Sequence, residues 1–165
     1  MQGGHKVPNP SLIGFSGVLA SQVYGAPEVR YERQKKARPM SNERQVAKEV
    51  ARILRKSMGL RIQAGSGGHR FIGIWHVVVN DRVFVRSWSV KENGWYRGLL
   101  KDPRGAIQVK KLEVAVAARR IANKALRDAI DRAYLEKYKT PGAVKYAKDL
   151  CSAKSRTTTV ELMPE

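Results

Sequence analysis

From residue 41 onward the apolar positions follow first a helical and then an extended rhythm. Val46, Val50, Ile53, Leu54 and Met58 recur at helical spacing while Lys48, Arg52 and Arg55 fall on other faces, so an amphipathic helix is predicted from Ser41. Asn42 with Gln45 resembles a capping box at its start, and Gly59 is a stop signal. A basic amphipathic helix of this kind packs on its own domain more often than on a membrane.

The middle of the chain is strand-rich. Leu60 to Ala64 is a short strand candidate, followed by the Gly-Ser-Gly-Gly loop at 65–68. Phe71 to Val79 and Arg82 to Trp88 are β-branched and aromatic runs, and Asn80-Asp81 between them signals a tight hairpin without the favoured glycine. Val83 and Val85 alternate with Phe84 and Arg86, so both faces of that strand are expected to be partly covered. Trp95 to Leu100 reads as a helical turn and Asp102-Pro103-Arg104-Gly105 as a turn. Two further strands are predicted over Ala106–Val109 and Leu112–Val116, around Lys110-Lys111.

A long helix is predicted from Ala118 to Tyr138, with the stripe Ile121, Ala122, Ala125, Leu126, Ala129, Ile130, Ala133 and Tyr134. Thr140-Pro141-Gly142 ends it, a shorter helix runs to Leu150, and Thr157 to Met163 is a final strand. Strands clustered between helices, with no βαβ alternation, argue for an α+β fold built on an antiparallel sheet or barrel.

Residues 1–39 behave differently. They hold four of the seven prolines and five glycines and no sustained period, so they read as an irregular extension before a folded domain over 40–165. The mildly apolar stretch Ser11–Ala20 has two prolines ahead of it and two glycines within it, a poor plan for a signal peptide. Met40 is an alternative natural start.

Composition narrows the classes. The 165 residues carry 32 Lys and Arg against 14 Asp and Glu, a formal net charge of +18. Such an excess attracts polyanions, but it is spread along the chain, with short clusters only at Arg33–Arg38, Lys110-Lys111 and Arg119-Arg120. A diffuse excess is more often a solvated surface than a specific nucleic-acid site. No apolar run approaches a membrane span of about 20 residues. The single cysteine, Cys151, excludes an internal disulfide and a cysteine cage for zinc. A cytoplasmic protein is expected.

Catalytic constellations are thin. His5, His69 and His76 are too few and too separated for a metal site, so none is expected. Asp128, Asp131 and Glu136 sit among Arg127, Arg132 and Lys137 and read as surface ion pairs. The 65–68 loop lacks the lysine and serine of a phosphate-binding loop. One constellation is richer: Arg86-Ser87-Trp88 at the end of a strand, then Trp95-Tyr96-Arg97. Arginine suits phosphate by its planar fork, Ser87 adds a hydrogen bond, and Trp88, Trp95 and Tyr96 suit a planar ring. The alternative is that the aromatics fill a barrel mouth while Arg86 pairs with a carboxylate.

The run Ile74 to Trp88, then Gly94-Trp95-Tyr96-Arg97, resembles the bacterial family of unknown function numbered 2255. Asp128 to Tyr134, Lys137-Tyr138 and Thr157 to Pro164 agree in order and spacing, so the resemblance spans roughly residues 44–165, with Lys110 to Arg120 departing from the pattern. It implies an antiparallel split β-barrel similar to oxidoreductases that bind FMN or a deazaflavin, commonly homodimers with cofactor at the subunit interface. On that footing Arg86 and Ser87 are the first candidates for a cofactor phosphate. Trp88, Trp95 and Tyr96 would line the ring site, with Lys137 and Tyr138 as further polar contacts. Three readings follow: a flavin- or deazaflavin-binding reductase, a basic nucleic-acid-binding module, and a cofactor-free structural or interaction protein whose pocket is filled.

Overall fold

A computed structural model of the chain describes residues 40–67 and 70–165. The extension over 1–39, with His5, and the loop residues Gly68 and His69 lie outside the described residues.

The domain starts with α1 (Met40–Arg55), whose apolar stripe places Val50 and Leu54 in the core. It begins at Met40, so Asn42 lies within the first turn instead of capping it. Seven strands follow in an antiparallel sheet: β1 (Leu60–Ala64), β2 (Ile72–Ile74), β3 (His76–Val79), β4 (Arg82–Val85), β5 (Arg104–Val109), β6 (Leu112–Arg120) and β7 (Val160–Pro164). Helix α2 (Trp95–Lys101) sits between β4 and β5, while α3 (Lys124–Lys137), α4 (Pro141–Leu150) and α5 (Ala153–Arg156) separate β6 from β7.

The strand order is β2-β1-β5-β6-β7-β4-β3. Its two edge strands, β2 and β3, are consecutive in the chain with Trp75 alone between them. The sheet must therefore curl until its edges meet, which makes a nearly closed barrel. The β3–β4 hairpin turns at Asn80 and Asp81, at φ 51° and 59°, the left-handed pair of a two-residue hairpin reached without glycine.

The β4 alternation covers both sheet faces. Val83 and Val85 point into the barrel with Leu60, Ile62, Ile107, Val109, Val116, Val160 and Leu162, closed by Leu54 of α1 and by Tyr96 and Leu99 of α2. Phe84 points outward with Val77 to meet Ile130 and Tyr134 of α3, Tyr138 just past its end, and Ala147 and Leu150 of α4.

Several boundaries differ from the sequence reading. Ala118 to Arg120 belong to β6, paired with Val160 to Leu162 of β7, and α3 starts only at Lys124, where the Asn123 side chain accepts from Leu126 N. Alanine's helix propensity loses there to a ladder that tertiary pairing supplies. The apolar run 71–79 is two strands, broken at Trp75. Strand β5 begins at Arg104, and residues 153–156 form a helical turn before β7.

Candidate functional site

The residues singled out by sequence part company in the fold. Arg86 continues the outward side of β4, so its guanidinium lies in the interior, 2% exposed, where β4, β7, α3 and α4 meet. Its Nε donates to Thr159 Oγ1 at 2.9 Å, Nη1 to the Asp131 carboxylate and to Leu150 O at 2.9 Å, and Nη2 to Arg127 O at 3.1 Å. These bonds and the carboxylate compensate a buried charge. Ser87 is buried too, its Oγ donating to Ser89 O and its N–H to Thr158 Oγ1. Tyr96 is a core residue of the barrel. The donors of Arg86 and Ser87 are thus engaged by the protein itself, in the structural role that the sequence also allowed for Arg86.

Lys137 and Tyr138 meet His76. Tyr138 Oη accepts from His76 N and lies 2.8 Å from Met58 O. His76 is fully buried, and its Nε2 lies 2.8 Å from Leu54 O. Its Nδ1 has no partner among the described residues. Lys137 Nζ sits 3.0 Å from Nε2 and bonds the carbonyls of Leu54 and His76. Burial, with the Lys137 charge behind it, pulls His76 down to about 4, and burial brings Lys137 down to about 8. Asp128 forms ion pairs with Lys124, one turn back on α3, and with Arg156, whereas Asp131 pairs inward with the buried Arg86 as well as with Arg156, and Glu136 forms no ion pair among the described residues. The Cys151 thiol is pushed up by burial, away from reactivity.

Trp88 lies on the surface with two rings that sequence reasoning left out. It meets Trp75 at 5.7 Å and Tyr146 at 6.3 Å, both edge-to-face, and Trp75 meets Tyr146 at 6.2 Å. In the sequence Trp75 belongs to an apolar run and Tyr146 is an exposed position of α4; nothing local joins them.

Trp95 lines a separate recess of 320 Å³ between the β1–β2 edge and α2. Ala64, Ile72, Gly98 and Trp95 supply its apolar surface, and Arg70, Lys101, Glu92 and Asn93 its polar groups. The recess exists because α2 comes close to β1: a Cβ on Gly98 would lie 3.1 Å from that of Ala64. Neither Arg70 nor Lys101 forms an ion pair among the described residues. The loop beside it is held by Asp102, whose Oδ2 accepts from Ser66 N at 2.9 Å and Ser66 Oγ at 2.6 Å. Those bonds hold the Asp102 carboxyl well below the usual carboxylate range. Gly65 begins this loop at φ 76°, a conformation that favours glycine. The sequence signal for Arg70 was the glycine loop before it, read only as a turn.

A family model described as "Uncharacterized protein conserved in bacteria (DUF2255)" matches residues 49–162. The chain belongs to this family. The DUF2255 match takes in β1 to β6, α2 to α5, the second half of α1 from Glu49 and the start of β7 to Leu162. Comparison with curated proteins returns no match. Among solved structures, HutZ, the heme storage protein from Vibrio cholerae, aligns at 14% identity and a TM-score of 0.53 over 71% of this chain and 88% of that one. A pyridoxamine 5'-phosphate oxidase candidate from Listeria innocua aligns at 11% identity and a TM-score of 0.51 over 73% and 94%. These likenesses are of fold, and the fold is the split barrel. No helix among the described residues is long and apolar enough to cross a membrane.

Proposed function

We propose that this DUF2255 protein binds a planar, phosphate-bearing cofactor, FMN or a deazaflavin, in the recess under α2 and serves as a reductase with it. The observation that carries the reading is one indole, Trp95, sharing a 320 Å³ recess with two cations, Arg70 and Lys101, that form no ion pair among the described residues, although Glu92 lines the same recess. An indole face suits a tricyclic ring, and free cations suit a phosphate. Ligand sites run from about 300 to 1,000 Å³, so the recess suits part of a mononucleotide better than a dinucleotide. The oxidase candidate among the similar folds is named for a compound of the same chemistry, a flat ring carrying a phosphate.

The cofactor class supplies hydride chemistry when bound. The chain's own contribution is position and charge: Arg70 and Lys101 neutralise phosphate, Trp95 walls off water, and the Asp102–Ser66 contact holds the adjoining loop. Haem storage, the role named for HutZ, is less well supported, because the described lining of the recess offers no His, Cys, Met or Tyr as an axial ligand. The homodimer implied by the family resemblance belongs to the proposal, and sedimentation velocity reads it directly.

Titration of the purified protein with FMN, FAD and a deazaflavin at physiological salt tests the reading. Saturable binding of FMN or the deazaflavin, weakened in Trp95→Ala, supports it. Affinity shared with any polyanion and lost as salt rises would assign the binding to bulk charge instead.

A further inference from the structure

The three rings of Trp75, Trp88 and Tyr146 stand steeply to one another, at 64°, 75° and 84°, with centroids 5.7 to 6.3 Å apart. They are three walls of a corner, and the fourth residue lining the 510 Å³ hollow they bound is Asp149. Its carboxylate has no hydrogen bond or ion pair among the described residues. The construction is economical. Tyr146 and Asp149 are three residues apart on α4 and share a face. Trp75 is the link between β2 and β3, and Trp88 follows β4.

Trp75 packs on the core, but packing does not account for the other two rings. Trp88 is 41% exposed and Tyr146 52% exposed. The walls are nevertheless held in place: Trp75 stacks on the buried Tyr138 at 4.0 Å, and the Trp88 Nε1–H points to Tyr146 O at 3.4 Å. Aromatic faces carry negative potential, and several converging on one space with a carboxylate at the edge attract an alkylated ammonium more than any neutral group. A methylated cation sheds water more readily than a primary ammonium, which keeps its hydration.

Trp75 and Trp88 also line a second groove, of 560 Å³, whose other walls include Met58, Gly73, Gln108 and two cations, Arg61 and Lys110. Neither cation is ion-paired among the described residues, although Arg61 Nη1 donates to Gln108 Oε1 at 3.3 Å and its guanidinium lies over the Phe71 ring. The two hollows therefore share their indole walls, one with a carboxylate at its edge and the other with cations.

We propose that Trp75, Trp88, Tyr146 and Asp149 form a cage for a trimethylammonium group, and that the ligand is a small zwitterion whose anionic end lies toward Arg61 and Lys110. Phosphocholine has this chemistry, free or as a lipid headgroup. The site shares no residue with the recess at Trp95 and stands whether or not a flavin binds there.

The test is a titration of the full chain with choline, phosphocholine and ethanolamine, followed by tryptophan fluorescence and by saturation transfer from the ligand methyl protons. Phosphocholine should bind tightest, and choline about ten-fold more tightly than ethanolamine. Trp88→Ala and Tyr146→Ala, both at exposed positions, should each weaken phosphocholine about ten-fold, and Asp149→Asn by a smaller factor, with unfolding midpoints unchanged. Phosphatidylcholine vesicles separate the sources: co-sedimentation that free phosphocholine competes away assigns the lipid headgroup, and its absence beside tight phosphocholine binding assigns the free solute. Equal affinity for choline and ethanolamine, no binding of either, or full affinity in Trp88→Ala overturns the cage. FMN affinity measured on the same Trp88→Ala protein reports on the other site separately.

Discussion

Trp75 lies flat on Tyr138, their ring centroids 4.0 Å apart and their planes 3° from parallel. The contact joins the one residue between the edge strands of the barrel to the end of α3, so barrel closure and helix docking share it. Trp75→Ala should cost about 3–5 kcal/mol, the usual range for an aromatic deleted from packed surroundings. Trp75→Phe should cost much less. Urea unfolding followed by circular dichroism reads both, and equal midpoints for the wild type and Trp75→Ala would contradict the shared role.

Arg86 is predicted to matter for stability and not for cofactor affinity. Arg86→Ala takes from Asp131 its buried partner, leaving it Arg156, and removes a donor from Thr159 Oγ1, Leu150 O and Arg127 O. Breaking a buried pair in this way costs about 3–5 kcal/mol. FMN affinity, measured on the fraction that stays folded, should be that of the wild type. Normal stability with lost affinity would return Arg86 to the ligand role that its sequence context suggested.

His76 makes stability depend on acid. Its folded pKa of about 4 lies below the ordinary 6.5, so between those values the unfolded chain binds a proton that the folded one refuses. Stability must therefore fall as pH drops through that window, by on the order of 3 kcal/mol in total from this group. Urea midpoints at intervals across the window should decline in the wild type and decline less in His76→Gln. Identical profiles would show that other groups set the acid limit.

Gly98 controls the recess. A larger side chain must push α2 away from β1 or fill the space beside Trp95. Gly98→Val is expected to destabilise the domain by about 1–3 kcal/mol, the range for overpacking, and to weaken FMN binding. Wild-type affinity in this variant would place the ligand elsewhere.

Much of the fold was legible in the sequence because single-element signals carry it. The two-faced pattern of β4, the Asn80-Asp81 turn and the stripe of α3 each state their environment locally. The break at Trp75 and the strand character of Ala118–Arg120 were not legible, since pairing with β7 and closure of the barrel decide them. The site was less legible for a similar reason. An arginine beside a serine at a strand end reads the same whether it faces a ligand or, as Arg86 does, Asp131 on α3. Trp95 lines the recess, but Arg70 and Lys101 join it only through the packing of α2 on β1.

The most direct measurement is the FMN affinity of the wild type beside that of the double variant Arg70→Gln, Lys101→Gln, by flavin fluorescence at physiological salt. Each charge-assisted contact is worth about 1.5–3 kcal/mol, so the double variant should bind at least ten-fold more weakly at an unchanged unfolding midpoint. Saturable wild-type binding with that loss is the predicted result. Folded wild-type protein that binds neither FMN nor a deazaflavin, or a double variant that binds as tightly as the wild type, would contradict the account.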